Sequence, residues 1–368
     1  MPDRFTLGIE QEFQLVDRQT GDLCSCIDDI LAQGEPVLGE KMKPESKQAA
    51  VELITGICPT IAAARQEIST LKGVLKQIVT RKGMALIGSG THPAAFWQDQ
   101  KTTPGEHYQK LEEDLQDIER MLVIYGLHIH VGVDSKELAV TLMNQLRTWL
   151  PHLLALSSNS PFWQGRNTGL KSYRTALWKP IPYSGVPEIM PSWNHFEHYV
   201  DDLVSTGCIE SAKDICWDIR PHTLFNTIEF RICDMPGTTQ DILAIAALCQ
   251  ALVMKLTWLH EHHIQFYVLP RDYVEVNKWA AMRYGLDADL IDFTHRRRIP
   301  MRESLHLLLD FVADVVPDLR CEQEIEHLHL LVDDPEGTGA DRQIALYQQT
   351  GDIHRVTQFL IQRTMGDE

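Results

Sequence analysis

This sequence is short of positive charge, of clustered cysteine and of unbroken apolar length. Lysine and arginine total 34 against 51 aspartate and glutamate in 368 residues, a formal net charge of −17. That balance excludes a general affinity for nucleic acid or for an anionic membrane surface. The eight cysteines are scattered; only Cys24 and Cys26 lie close together, without the paired CxxC spacing of a zinc site, so they read as reduced packing residues. No stretch offers about 18 uninterrupted apolar residues, and residues 1–4 do not begin a basic-then-apolar leader, so the expected location is the cytoplasm. Repeats and low-complexity tracts are missing too. So are the two common nucleotide loops. In Gly88-Ser89-Gly90-Thr91-His92-Pro93 a proline stands where a dinucleotide loop needs its third glycine, and no helical pattern follows. Gly165, Gly169, Lys171 and Ser172 are spaced G-x-x-x-G-x-K-S, which is not the phosphate-cradling G-x-x-x-x-G-K-S.

What is present is alternation. Hydrophobic residues make up 44% of the chain, enough for a large core in one big domain or two ordinary ones. In residues 7–15, Leu7, Ile9, Phe13 and Leu15 share one face of a strand, while Glu10, Glu12 and Gln14 share the other. Two carboxylates so placed on a half-buried strand repel each other, and a divalent cation between them removes that cost; a surface strand with solvated glutamates is the plain alternative. Three further stretches repeat the pattern. Glu52 stands between Val51 and Leu53; His128 and His130 oppose Leu127, Ile129, Val131 and Val133; Glu229 and Arg231 oppose Ile228, Phe230 and Ile232. Residues 214–221 also alternate, with Asp218 and Arg220 opposite Ile215, Trp217 and Ile219, although a cross-strand salt bridge explains such a charge pair equally well.

Helical spacing marks residues 61–79, through Ile61, Ala64, Ile68, Leu71, Leu75 and Ile78. It also marks 111–122, stopped by Gly126, and 138–156, kinked at Pro151. Between them and the next strands lies a long loop, 159–187, carrying Lys171, Tyr173, Arg174, Trp178, Lys179 and Tyr183. A loop of that length in a compact domain is usually functional, and its basic and aromatic residues suit a small acidic substrate. Beyond Thr239 the chain reads as predominantly helical, with a long apolar helix over 242–259 and shorter ones around Trp279, Leu305, Leu328 and Leu346. His260-Glu261-His262-His263 reads as a solvated helix end, because consecutive helical residues point in different directions.

Four alternating strands joined in one antiparallel sheet would give a face lined by Glu10, Glu12, Glu52, Glu229, two histidines and Arg231, with helices covering the apolar face. Oxygen-rich ligation with few histidines suits Mg²⁺ or Mn²⁺, and an adjacent arginine suits phosphate. The combination points to metal–ATP chemistry without a P-loop. Metal-assisted hydrolysis and a binding protein without turnover are the competing readings.

Taken in order, Leu7-Gly8-Ile9-Glu10-Gln11-Glu12, Gly126-Leu127-His128-Ile129-His130-Val131-Gly132, Asn159-Ser160-Pro161-Phe162-Trp163-Gln164-Gly165 and Thr227-Ile228-Glu229-Phe230-Arg231 resemble the type 2 glutamate–cysteine ligase family. More distantly, the order resembles that of the glutamine synthetase superfamily. The resemblance implies an α+β fold, a curved antiparallel funnel with helices on its convex face and a helical C-terminal third. It implies one ligase domain over 1–368, its sheet-forming part about 5–238 and its helical part about 239–368. It further implies ATP with Mg²⁺ (or Mn²⁺), and Glu10, Glu12, Glu52, His128, Glu229 and Glu45 as metal ligands. His130 and Arg231 would meet phosphate. Arg174 and Arg220 would hold a substrate carboxylate or the transferred phosphoryl group, with Tyr173 and Asn159 beside them. The implied reaction joins a small carboxylate, glutamate in the family prototype, to an amine such as cysteine through an acyl phosphate. The apolar stripes of the helical third fit a homodimer.

Overall fold

The computed structural model describes residues 4–366; residues 1–3, on which part of the leader argument rests, lie outside the described residues. The alternating stretches become strands. In chain order these are β1 (Leu7–Asp17), β2 (Met42–Pro44), β3 (Ala50–Ile54), β4 (Met84–Ile87), β5 (Gly126–Gly132), β6 (Phe162–Trp163), β7 (Arg166–Asn167), β8 (Ile219–Pro221), β9 (Thr227–Asp234), β10 (Asp289–Asp292) and β11 (Arg297–Pro300). The main sheet runs β2-β3-β1-β5-β9-β8, every pairing antiparallel, and β4 also pairs with β1. β1 is its centre. Gln14 pairs with Ala50 of β3 and with Ile87 of β4, so β4 extends the edge of β1 that faces β5.

On the apolar face Leu7, Ile9, Phe13 and Leu15 are at most 1% exposed, and burying each is worth roughly 1.5–3 kcal/mol. Gln11 shares this face and is wholly buried, which the pattern of its neighbours does not announce. The helices Ile61–Arg81 and Thr239–Glu261 pack on the sheet and on each other. By length and composition the second is able to span a bilayer, yet 83% of its apolar window is buried inside the protein. It is a core helix here, and its apolar residues join the same cluster as the strands. This is a mixed helix and antiparallel-sheet fold.

Several elements differ from what spacing alone predicts. The helix expected over 111–122 is two short ones, Glu106–Leu115 and Asp117–Arg120, broken at Gln116 with φ 51°. Gly126 stops no helix; it opens β5. The 138–156 helix divides into Lys136–Leu146 and Leu150–Ser157, and Pro151 sits in the first turn of the second, where a missing N–H costs nothing. The 159–187 loop contains the β6–β7 hairpin and a helix, Tyr173–Trp178. Of residues 214–221 only Ile219–Pro221 is strand. The helical C-terminal part carries the β10–β11 hairpin, whose alternation is too short to register against the surrounding helices.

β9 holds one irregularity that matters below. Leu127 pairs with Cys233 and Ile129 with Phe230, so His128 alone stands opposite both Arg231 and Ile232. That is a β-bulge on β9, and bulges bend a strand and re-aim its side chains. Its effect is to bring Asp234, paired with Gly126, to the face that carries His128.

Candidate active site

Register assembles the polar face. Glu10 lies opposite His128, Glu12 opposite Glu52, and His130 opposite Glu229. On the next strand Arg220 also lies opposite Glu229. Such cross-strand neighbours on one face stand about 4.5–5.5 Å apart at Cβ, close enough for carboxylates and imidazoles to meet. His128 is the hinge of the cluster: its Nδ1 is 3.0 Å from Glu10 Oε2 and its Nε2 3.6 Å from Glu12 Oε1. His130 Nε2 is 3.1 Å from Glu10 Oε1, and its Nδ1 is 3.3 Å from Thr227 Oγ1. Glu12 Oε2 accepts the backbone N–H of Gly126 at 2.5 Å. Two overlapping sets, Glu10 with His128 and Glu229, and Glu12 with Glu52 and His128, bring one ligand atom from each member within 4.8 Å of the others.

The charges divide into two camps. Burial alone would raise the Glu229 carboxyl, but Arg231, Arg220 and His130 outweigh it and hold that group far below the usual carboxylate range. Arg220 Nε donates to Glu229 Oε2 at 2.7 Å and Arg231 Nη1 donates to Glu229 Oε1. Burial likewise opposes ionisation of Glu10, and its bonds to His128 and His130 reverse the balance. Desolvation disfavours protonated His130, but Glu229 and Glu10 raise its pKa. Glu45 and Glu52 go the other way. Burial and then the neighbouring Glu12 push the Glu45 carboxyl up to about 8, and burial with Glu45, Glu10 and Glu12 pushes Glu52 well above its ordinary value. Among the described residues neither Glu45 nor Glu52 has a lysine or arginine within ion-pair distance. Carboxylates gathered without a lysine or arginine in ion-pair contact, beside one imidazole, form a donor set that fits Mg²⁺ or Mn²⁺.

The structure therefore brings Glu10, Glu12, Glu45, Glu52, His128, His130, Glu229, Arg220 and Arg231 together. Arg220 is more committed than a free anion clamp: its Nη1 donates to the carbonyls of Lys213 and Ile215 at 2.8 and 2.7 Å. Arg174 and Asn159 are placed otherwise than expected. Arg174 is 3% exposed. Its Nη1 and Nη2 donate to the carbonyls of Ile232 and Arg231, each at 3.3 Å, and its Nε finds no acceptor among the described residues. The Asn159 amide is consumed in the interior, donating to Gly88 and Met235 carbonyls at 3.0 and 2.9 Å and accepting from Gln343 at 2.7 Å. Tyr173 is half-buried against Trp163 and Arg166. The His260–His263 tract is exposed at a helix end, as its spacing implies.

Three residues escaped the sequence. Tyr108 donates to the Pro44 carbonyl at 3.2 Å, and burial with Glu45, Glu52 and Glu12 raises its phenol. His222 stands edge-on to His130 with ring centroids 5.7 Å apart; its Nδ1 accepts from the backbone of Leu224 and Phe225, which leaves Nε2 to carry the proton of the neutral ring. Asp234 is wholly buried and accepts from Ser160 Oγ and Ser172 Oγ at 2.7 Å and from the Asn159 N–H at 2.9 Å. The bulge hides Asp234 from any count of alternate residues, and neither Tyr108 nor His222 sits in an alternating strand.

Comparison with known proteins shows the family and the fold. The model of glutamate–cysteine ligase family 2 matches residues 6–358. A provisionally named glutamate–cysteine ligase 2 from Solibacter usitatus is 44% identical over 360 residues, 98% of this chain and 93% of that protein. One of the same name from Roseiflexus castenholzii is 44% identical over 361 residues, covering 98% and 95%. Among solved structures, the glutamate–cysteine ligase of Francisella tularensis in complex with AMP superposes with a TM-score of 0.76 at 14% identity, covering 99% of this chain and 89% of that one. The bifunctional glutathione synthetase of Pasteurella multocida gives 0.72 at 14% identity, covering 99% and 52%. At that identity the structural likeness is one of fold.

Proposed function

Because this chain belongs to glutamate–cysteine ligase family 2 and is an ATP-dependent carboxylate–amine ligase, we propose that it joins the γ-carboxylate of glutamate to an amine, cysteine first among candidates, at a Mg²⁺-ATP site on the polar face of its sheet. The observation that carries this reading is the pair of overlapping donor sets sharing His128, with Glu45 beside them; among the described residues neither Glu45 nor Glu52 has a lysine or arginine within ion-pair distance, and burial with the neighbouring acids raises both. Glu10, Glu12, Glu52, His128 and Glu229 would hold the cations, with Glu45 joining them; Mn²⁺ suits the same donors. When bound, Mg²⁺ offsets the carboxylates and neutralises phosphate oxygens.

The chain's own residues do the rest. Glu229 holds Arg231 and Arg220 at the edge of the cluster, and Arg231, with His130 whose protonated form Glu229 and Glu10 favour, faces the place where phosphate oxygens develop negative charge. The γ-phosphoryl of ATP passes to the substrate carboxylate, giving ADP and an acyl phosphate. The amine then attacks that carbonyl and phosphate leaves, so one amide forms for each ATP cleaved and no covalent enzyme intermediate is needed. Positioning is the main contribution of the protein. Tyr173, half-buried beside Arg166, belongs in this reading to the substrate side. The whole chain acts as one ligase unit, supported by an apolar core that draws on both the sheet-forming and the helical parts. The use of ATP supports cytoplasmic residence. Self-association through the helical part is supported by the exposed Tyr273, Val276 and Trp279 of the Arg271–Tyr284 helix.

The test is release of ADP and phosphate from Mg²⁺-ATP with glutamate, with and without a panel of amines including cysteine. Release dependent on both acid and amine is expected, and Glu10→Gln should abolish it with the fold intact. Turnover retained by Glu10→Gln, or release indifferent to glutamate, would overturn the assignment.

A further inference from the structure

The bulge in β9 lies at Arg231 and Ile232, the first of them a residue that the proposed function assigns to phosphate. A bulge interrupts the hydrogen-bond ladder and needs its backbone groups satisfied in some other way. Here the carbonyls at the interruption, those of Arg231 and Ile232, accept from the two terminal nitrogens of Arg174 at 3.3 Å. The backbone N–H of Arg231 donates in the other direction, to the Asp218 carbonyl at 2.8 Å. A planar guanidinium is the side chain that reaches two adjacent acceptors at once; an ammonium is a single point of charge.

Two further features serve that contact. Gly126, opposite Asp234 on β5, leaves room for it: a Cβ there would stand 2.8 Å from Arg174 Cζ and 3.1 Å from its Nε, and closer still to Nη2. Asp234, the residue that the bulge turns to this face, accepts from Ser160 and Ser172, and Ser160 Oγ in turn accepts the backbone N–H of Arg174 at 3.1 Å. The loop that carries Arg174 is therefore tied to the strand that Arg174 braces. Trp178, one turn on, has both Arg174 and Arg231 against its ring, at 5.9 and 6.0 Å.

We propose that Arg174 is a positioning residue: seated over Gly126, it clamps the β9 bulge and so aims Arg231 at the nucleotide. The inference rests on the reading that Arg231 meets ATP phosphate. It gives Arg174 a different role from direct capture of the substrate carboxylate, for which its 3% exposure leaves little opening.

The test is the affinity for Mg²⁺-ATP, which needs neither the acid nor the amine. Arg174→Lys keeps the charge and loses the fork. Gly126→Ala keeps the N–H that Glu12 accepts, and its methyl meets the end of a flexible side chain, so it should displace the guanidinium without unfolding the sheet. Both should weaken Mg²⁺-ATP by about tenfold, with the melting temperature changed far less, and neither should add to the loss in an Arg231→Lys background, because both act through Arg231. If Arg231→Lys weakens the nucleotide and the other two do not, the clamp is wrong and the phosphate role stands. If Arg231→Lys itself binds Mg²⁺-ATP normally, the phosphate role fails and the clamp with it. Full additivity in the double variants would also overturn the clamp. So would a rise confined to the KM for glutamate in Arg174→Lys, which would return Arg174 to the substrate.

Discussion

Glu119 and Asp218 are as deeply buried as Glu52 and Glu12, at 1 and 3% exposed against 8 and 9%, yet the two pairs tell opposite stories. Glu119 accepts from Lys47 at 2.7 Å and Asp218 from Lys278 at 2.6 Å, so each buried carboxylate brings its own cation. Glu12 and Glu52 face each other across β1 and β3, with Glu45 and Glu10 beside them; Glu12 meets the His128 imidazole at 3.6 Å, and among the described residues neither has a lysine or arginine within ion-pair distance. Burying a charge costs several kcal/mol unless it is paired. A chain that pairs its buried acids at two places and leaves them crowded at a third supports the proposal that the third receives a cation from outside. The difference teaches more than burial or acidity does separately: counter-charge supplied within the fold marks structure, and counter-charge withheld marks a site.

The sharpest way to break that comparison is to neutralise one acid in each class. Glu52→Gln should cut Mg²⁺-dependent turnover by on the order of a hundredfold or more, since even outer-shell partners of metal ligands cost 10–100-fold when removed. The same variant should melt higher than the parent near neutral pH in the absence of Mg²⁺, because an amide folds into the cluster without the proton uptake that burying Glu52 requires. Rates within a few-fold of the parent, or a lower melting point in chelator, would end the claim that Glu52 awaits a cation. At the other class the sign reverses. Lys47→Met leaves Glu119 buried without its partner and should cost about 3–5 kcal/mol of stability, read as a fall in denaturation midpoint that Mg²⁺ does not repair. A neutral outcome there would mean that the two classes of buried acid do not differ.

How much of this was legible beforehand follows from the same physics. Alternation is local, so β1, β3, β5 and the first part of β9 could be read directly, and with them Glu10, Glu12, Glu52, His128, His130, Glu229 and Arg231. Register is not local, and only the folded sheet sets Glu10 against His128 and Glu12 against Glu52. Short polar or irregular pieces carry too few residues for a period, which is why the β6–β7 and β10–β11 hairpins and the Tyr173–Trp178 helix were not visible. The bulge is the most instructive miss. By alternation Asp234 belongs with Ile228 and Phe230 on the core face, whereas one extra residue at Arg231–Ile232 turns it to the polar face, where it anchors Ser160 and Ser172. Arg174 and Asn159 show the limit of loop composition: polar residues in a long loop suggest ligand contact, and here the Arg174 terminal nitrogens and the Asn159 amide donate to backbone carbonyls.

The smallest expected effect is a dependence on pH, and it separates the two classes without any mutation. In the unfolded chain Glu45 loses its proton near the ordinary value of 4.5, whereas in the fold it keeps it up to about 8, and Glu52 is raised in the same direction. Between those limits these two carboxyls bind more protons in the folded metal-free protein than in the unfolded chain, so their contribution to stability falls as pH rises, against the opposite, lower-pH contribution of the buried His92 and His152. The contribution of a raised carboxyl is fully present below 4.5 and is lost as pH passes through 8. Divalent cations bind the ionised forms, so Mg²⁺ should restore more stability at each step up in pH. Melting curves at pH 6, 7, 8 and 9, with chelator and with Mg²⁺, should therefore diverge, the chelated series falling and the Mg²⁺ series staying flatter. Glu45→Gln should narrow the gap by removing one of the contributing groups. Parallel curves would mean that protons and Mg²⁺ do not compete for the same carboxylates, and the crowded acids would then need some other counter-charge.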